Sequence, residues 1–174
     1  FIDSWYDRQA AVNSILLGCS VGLAGTVLGF IFAYAVTRLS MPKWLKMAVS
    51  AVTLLPLISP PFTSSIALTL SLGPNGILLE LLGLGNFNFY GFWGTFISET
   101  LTFFPVAFMT LSTILARIDP NLEDAAYSLG ASSFKVFRSV TLPLAAPGIA
   151  NAFLLVFSCS LADFATPQVL GGHS

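Results

Sequence analysis

Charge is what this sequence has least of. Only 9% of its 174 residues are Asp, Glu, Lys or Arg, against about 25% in soluble domains. A soluble globule of this length needs more polar surface than those residues supply, so a soluble domain is excluded. Neither sign prevails: seven cations face eight anions, for a net charge of −1. That balance excludes a strongly basic surface for nucleic acid. Disorder is excluded as well, because 55% of the residues are hydrophobic. Histidine is nearly missing, with His173 the single example. The two cysteines, Cys19 and Cys159, lie inside apolar runs and read as small hydrophobes. They form no disulfide framework, and no His/Cys cluster has the spacing of metal ligands, so no metal site is expected. A Gly-x-x-x-x-Gly-Lys phosphate loop is missing too, since none of Lys43, Lys46 and Lys135 follows a glycine. Hence no catalytic residue and no bound cofactor are expected on this chain.

What is present is apolar, with 16 Phe and a mean hydropathy of +0.84. The charges enclose long neutral stretches: 29 residues between Arg8 and Arg38, 33 between Lys46 and Glu80, 17 between Glu99 and Arg117, and 24 between Arg138 and Asp163. A membrane-crossing helix needs about 20 mostly apolar residues. The expected fold is therefore an all-α membrane protein with four spans, at about 10–37, 47–71, 92–116 and 145–162. A β-barrel lacks support, because apolar and polar residues do not alternate. The first apolar run is too long for the core of a signal peptide.

Cations orient the spans. Arg38, Lys43 and Lys46 lie between spans one and two, and Arg117, Lys135 and Arg138 between spans three and four. Those two loops are expected in the cytoplasm, with both chain ends on the other side. The intervening 73–91 segment, rich in Gly, Asn and aromatics, is expected to carry a short helix over 77–83 on the outer surface. Tyr90 and Trp93 fit an interfacial aromatic belt.

Several residues inside the spans stand out. Ser14, Gly18, Gly22, Gly25 and Gly29 share one helical face, which suits close helix packing in lipid. Pro56, Pro60 and Pro61 interrupt span two, and Thr63, Ser64, Ser65 and Thr69 follow. Broken helices at membrane depth face protein or a water-filled cavity. Pro60 and Ser64 are thus candidate pathway residues, although a kinked structural helix explains them equally well. Glu99 lies within span three and Asp163 at the end of span four. An ionisable group at such depth is a functional candidate; for Asp163 the alternative is a helix cap.

Residues 117–147 hold six of the fifteen charges. Asp119 can cap a helix with Pro120 at its first position, and Gly130 can stop it. Ser132 or Ser133 can start a second short helix, 134–141, which Pro143 would end before Pro147 opens span four. The expectation is a compact knob over 117–144. Ala125 and Ala126 make its first helix thin. Phe134, Val136, Phe137 and Val140 make the second too apolar to stand free in water.

The series Asp124-Ala125-Ala126-x-x-x-Gly130, then Val140-x-Leu142-Pro143 after nine residues, resembles the EAA loop of ABC-importer permeases. That pattern has Glu at the acidic position and Ile at the aliphatic one. Glu123 precedes Asp124, and either acid can make the acidic contact. The resemblance covers about residues 9–172 and implies a type I importer permease core. It implies that the loop forms a coupling helix docking on a cytoplasmic ATP-binding subunit, which holds the ATP and Mg. Glu123 or Asp124, Ala125, Ala126 and Gly130 would then be contact and turn positions, with Leu142 and Pro143 fixing the return to the membrane.

The other implied partners are a second permease half or subunit, an extracytoplasmic substrate-binding protein and the lipid of a bacterial inner membrane. The family core has one more span after its Gly-Gly region, so the resemblance implies one part of a longer polypeptide. Leu55-Pro56, Ser59-Pro60-Pro61-Phe62, Phe89-Tyr90-Gly91, Phe103-Phe104-Pro105, Ala162-Asp163-Phe164 and Val169-Leu170-Gly171-Gly172 look like the ferric-iron branch. Branches for polyamine, phosphonate, sulfate or thiamine share parts of these signatures. An ion-coupled secondary transporter using Glu99 or Asp163, and a non-transporting membrane scaffold, are the rivals of another class.

Overall fold

The computed structural model describes residues 5–58, 63, 66–67 and 91–170. Among the described residues the regular structure is entirely helical. In chain order the helices are α1 (Trp5–Arg38), α2 (Lys43–Ile58), α3 (Phe92–Arg117), α4 (Pro120–Ser128), α5 (Ser133–Ala162) and α6 (Ala165–Leu170). Three stretches are long and apolar enough to cross a membrane: Arg8–Arg38, Phe92–Arg117 and Ser133–Ala162.

Of the expected second span, 47–71, the described residues are those of α2 up to Ile58 and the helical residues 63, 66 and 67. Pro56 sits inside α2 without ending it. Pro60, Ser64, the expected helix at 77–83 and nearly all of the 73–91 connection lie outside the described residues.

Helices α1, α3 and α5 pack on one another to form the bundle, and α2 leans on α3. The glycine stripe explains the closeness. Gly18, Gly22, Gly25 and Gly29 are all buried, whereas Ser14 at the head of the stripe is exposed. Gly18 and Gly22 receive the rings of Phe157 and Phe153 from α5. Gly29 meets the α3 backbone itself: a Cβ there would lie 2.6 Å from Cβ of Ala107 and 2.7 Å from N of Phe108. Lipid tails are as apolar as Leu, so membrane helices associate through such packing more than through expulsion of water. The opposite side of α1 carries exposed Leu23, Val27 and Ile31, which suits lipid.

The start of α5 differs from the expected pair of broken helices. One helix runs from Ser133 to Ala162, through both Pro143 and Pro147. Residues Phe137–Thr141 form a π-helical turn, in which Leu142 N–H reaches back five residues to the Phe137 carbonyl. A proline ring crowds the carbonyl four residues earlier and contributes no donor. A widened turn immediately before Pro143 shifts that ladder and admits the ring without a break. The expected span 145–162 is thus the distal part of a longer helix, and the expected 134–141 helix is its first two turns.

Candidate functional site

Helix α4 is built by local code. The Asp119 carboxylate accepts from Asn121 N–H at 3.0 Å, and Pro120 fills the first helical position. At the other end Gly130 has φ +80°. Its N–H donates to the Tyr127 carbonyl at 2.9 Å, and Ala131 N–H to Ala126 at 3.1 Å. This double closure ends a helix through one left-handed residue, which glycine adopts at little cost. A nine-residue helix is thereby fixed at both ends beside the base of the bundle.

Which face of α4 looks outward is decided by two adjacent acids. Glu123 turns toward the bundle. Its Oε1 lies 3.1 Å from Nε of Arg38, and the two side chains are only 15% and 12% exposed. The same oxygen accepts from Thr141 Oγ1, in the π-helical turn, at 2.9 Å. The Arg38 Nη2 group also donates to the Ile118 carbonyl, just after α3, at 3.3 Å. One charge pair therefore touches α1, the end of α3, α4 and α5. Asp124, one residue on and about 100° around the helix, is exposed, as is Ala125, while Ala126 is half-buried.

The expected coupling positions Glu123, Asp124, Ala125, Ala126 and Gly130 are thus gathered on α4 and its exit. Leu142 and Pro143 lie in α5 just after the π-helical turn, both exposed. Around Gly130 stand two large apolar side chains with no cover, Leu129 at 89% exposure and Phe134 at 71%. Val136 is buried, and Phe137 packs against Phe30 and Tyr34 of α1. The second half of the knob therefore rests on the bundle, while Phe134 faces out.

Of the expected pathway residues, Glu99 and Asp163 lie among the described residues. Glu99 is fully buried between α3 and α5, where its Oε2 accepts from Ser160 Oγ. Asp163 caps the start of α6. Its Oδ1 accepts from Ala165 N–H at 3.0 Å and Thr166 N–H at 3.3 Å, and its Oδ2 from Thr166 Oγ1 at 2.6 Å. Among the described residues no group of three His, Cys, Asp or Glu side chains is gathered as if for a metal. The pairings of Arg38, Thr141 and Ser160 had no signal in the sequence, because their partners stand 85, 18 and 61 positions away.

Residues 25–174 match the family of the binding-protein-dependent transport system inner membrane component. The ferric transport system permease protein FbpB of Actinobacillus pleuropneumoniae is 39% identical over 172 residues, 96% of this chain. This chain spans only 25% of that protein's length. The molybdenum transport system permease protein ModB of Haemophilus influenzae is 33% identical over 161 residues, 88% of this chain and 69% of its own length. ModB of Escherichia coli K12 is 31% identical over 162 residues, 90% of this chain and 68% of its own. Family, relatives and three helices long and apolar enough to cross a membrane agree on a multi-pass protein of the inner membrane. The chain belongs to the binding-protein-dependent transport system inner membrane component family.

Proposed function

We infer that this chain forms the solute pathway of a bacterial ATP-driven ABC importer, as part of its transmembrane subunit. The observation that carries the reading is α4: a short, doubly capped helix at one end of the bundle, with Asp124, Ala125 and Leu129 turned outward. Exposed Leu129 and Phe134 are costly in water and suit the apolar groove of a partner. The partner in this reading is a cytoplasmic ATP-binding subunit holding ATP and Mg. Its closure moves α4 and, through α4, the spans. An extracytoplasmic binding protein delivers solute, and a second permease half or subunit completes the pathway.

The finer architecture belongs to the same reading. Four spans, at about 10–37, 47–71, 92–116 and 145–162, carry a coupling loop at 117–144 on the cytoplasmic side, and α2 begins the second span. Asp124 makes the acidic contact with the ATPase, because Glu123 is engaged inward. Pro60 and Ser64 border the pathway. Glu99 holds α3 against α5, and Asp163 shapes the turn into α6, which supports structural roles for both acids.

Ferric iron is the proposed solute, on the strength of the 39% identity with a ferric permease. The test is uptake by proteoliposomes that contain the complete permease, its ATP-binding subunit and its binding protein. Radioactive ferric iron should enter only with ATP inside, and dissipating ion gradients should not reduce entry. Uptake that collapses with the gradient and ignores ATP would return the ion-coupled transporter. Uptake of molybdate in preference to iron would reassign the solute.

A further inference from the structure

The Arg38–Glu123 pair does more than hold α4 down. Four helices meet at it. Arg38 ends α1 and reaches the Ile118 carbonyl after α3, while Glu123 belongs to α4 and takes the hydroxyl of Thr141 in α5. The Arg38 and Glu123 side chains are largely shielded from water, where a charge that loses its partner is destabilising and an intact pair is correspondingly hard to pull apart. Helix α4 has no buried residue of its own. It rests on the start of α5 and on α1 through partly exposed side chains, and the charged knot is its one ion pair to the spans among the described residues.

We propose that Arg38, Glu123 and Thr141 form a rigid joint that makes α4 and the end of α1 move as one body. The joint deepens the reading of α4 as the ATPase-docking element and rests on it. A push on α4 is delivered through the joint to α1 as well as to the chain-linked α3 and α5. The glycine seam of α1 then carries the displacement into the bundle, because Gly29 abuts the α3 backbone with no side chain to absorb it. Arg38 and Thr141 are in this sense positioning residues. They touch neither solute nor nucleotide, and their loss should separate hydrolysis from movement of solute.

The experiment uses the complete transporter in proteoliposomes and reads solute moved per ATP hydrolysed. Arg38→Gln removes the charge. It should retain the ATP-binding subunit and basal hydrolysis, yet lower the ratio about ten-fold, within the ordinary range of coupling between sites. Arg38→Lys keeps the charge and should hold the ratio within about two-fold of the parent. Thr141→Val removes one hydroxyl at equal shape and should fall between them.

A second measurement does not depend on activity. Spin labels at Leu39→Cys and Ser128→Cys, in a background of Cys19→Ala and Cys159→Ala, report the distance from α1 to α4. That distance should be the same with and without ATP in the parent, and should broaden on ATP binding in Arg38→Gln. An unchanged solute-to-ATP ratio in Arg38→Gln overturns the joint, and so does a parental label distance that shifts with ATP. If Arg38→Gln fails to assemble, the parental label distance decides alone. A parent complex that binds no ATP-binding subunit overturns the function proposed for α4, and the joint with it, before any variant is made.

Discussion

Ser160 on α5 donates its hydroxyl hydrogen to the Glu99 carboxyl on α3, and both side chains are buried inside the bundle. The bond crosses between two membrane helices, where water cannot substitute for a lost partner. Glu99→Gln keeps an acceptor of the same shape and should leave the thermal midpoint of the purified complex within a few degrees of the parent. Glu99→Ala leaves a void and an orphaned hydroxyl, at a cost of about 1–3 kcal/mol for the polar loss alone. It should lower the midpoint distinctly more. Equal midpoints for the two variants would show that the bond contributes nothing to the fold.

Two glycines make contrasting predictions about packing. A methyl group at Gly29 would strike Ala107 and the backbone nitrogen of Phe108, which cannot move without displacing α3. At Gly148 it would meet the side chain of Ile114, led by its flexible Cδ1 end. Gly29→Ala should therefore cost about 1–3 kcal/mol, the usual range for overpacking, while Gly148→Ala should cost distinctly less. Thermal unfolding of the two variants side by side checks the order. A Gly148→Ala protein less stable than Gly29→Ala would contradict it.

The amino-terminal cap of α4 is the third test. Asp119→Ala removes the acceptor for Asn121 N–H, a loss worth about 1 kcal/mol. No residue of α4 is fully buried, so the loss should appear as fraying of this helix, leaving the membrane bundle unchanged. Amide exchange over 121–124 should quicken about five-fold, in line with that energy, with exchange in α3 unaltered. Unaltered exchange over 121–124 would mean that the cap is dispensable.

How much of this was legible in the sequence depends on the range of each interaction. Asp119, Pro120 and Gly130 act on neighbours within a few residues, so both bounds of α4 were readable, and so was the glycine face of α1. The prolines misled at α5. Pro143 and Pro147 suggested breaks, but a π-helical turn at Phe137–Thr141 absorbs the first ring, and no local signal marks such a turn. Whether Glu123 or Asp124 faces the partner was equally hidden. Adjacent residues differ by about 100° around a helix, and the face is chosen by Arg38, 85 positions away. Ser160 was invisible as the partner of Glu99 for the same reason.

The most direct test of the central claim is recovery of the ATP-binding subunit with the complete permease, purified from membranes. A Cβ at position 130 would meet nothing within 4 Å, so substitution there acts only through φ +80°. A β-branched residue is strained in that conformation by about 1–2 kcal/mol, whereas Asn tolerates it. The account predicts that the native permease and Gly130→Asn retain the ATP-binding subunit. Gly130→Val should lose at least about five-fold of it while inserting normally, in keeping with that strain. Equal recovery with Gly130→Val and the native protein would contradict the assignment of α4 as the element that docks on the ATPase.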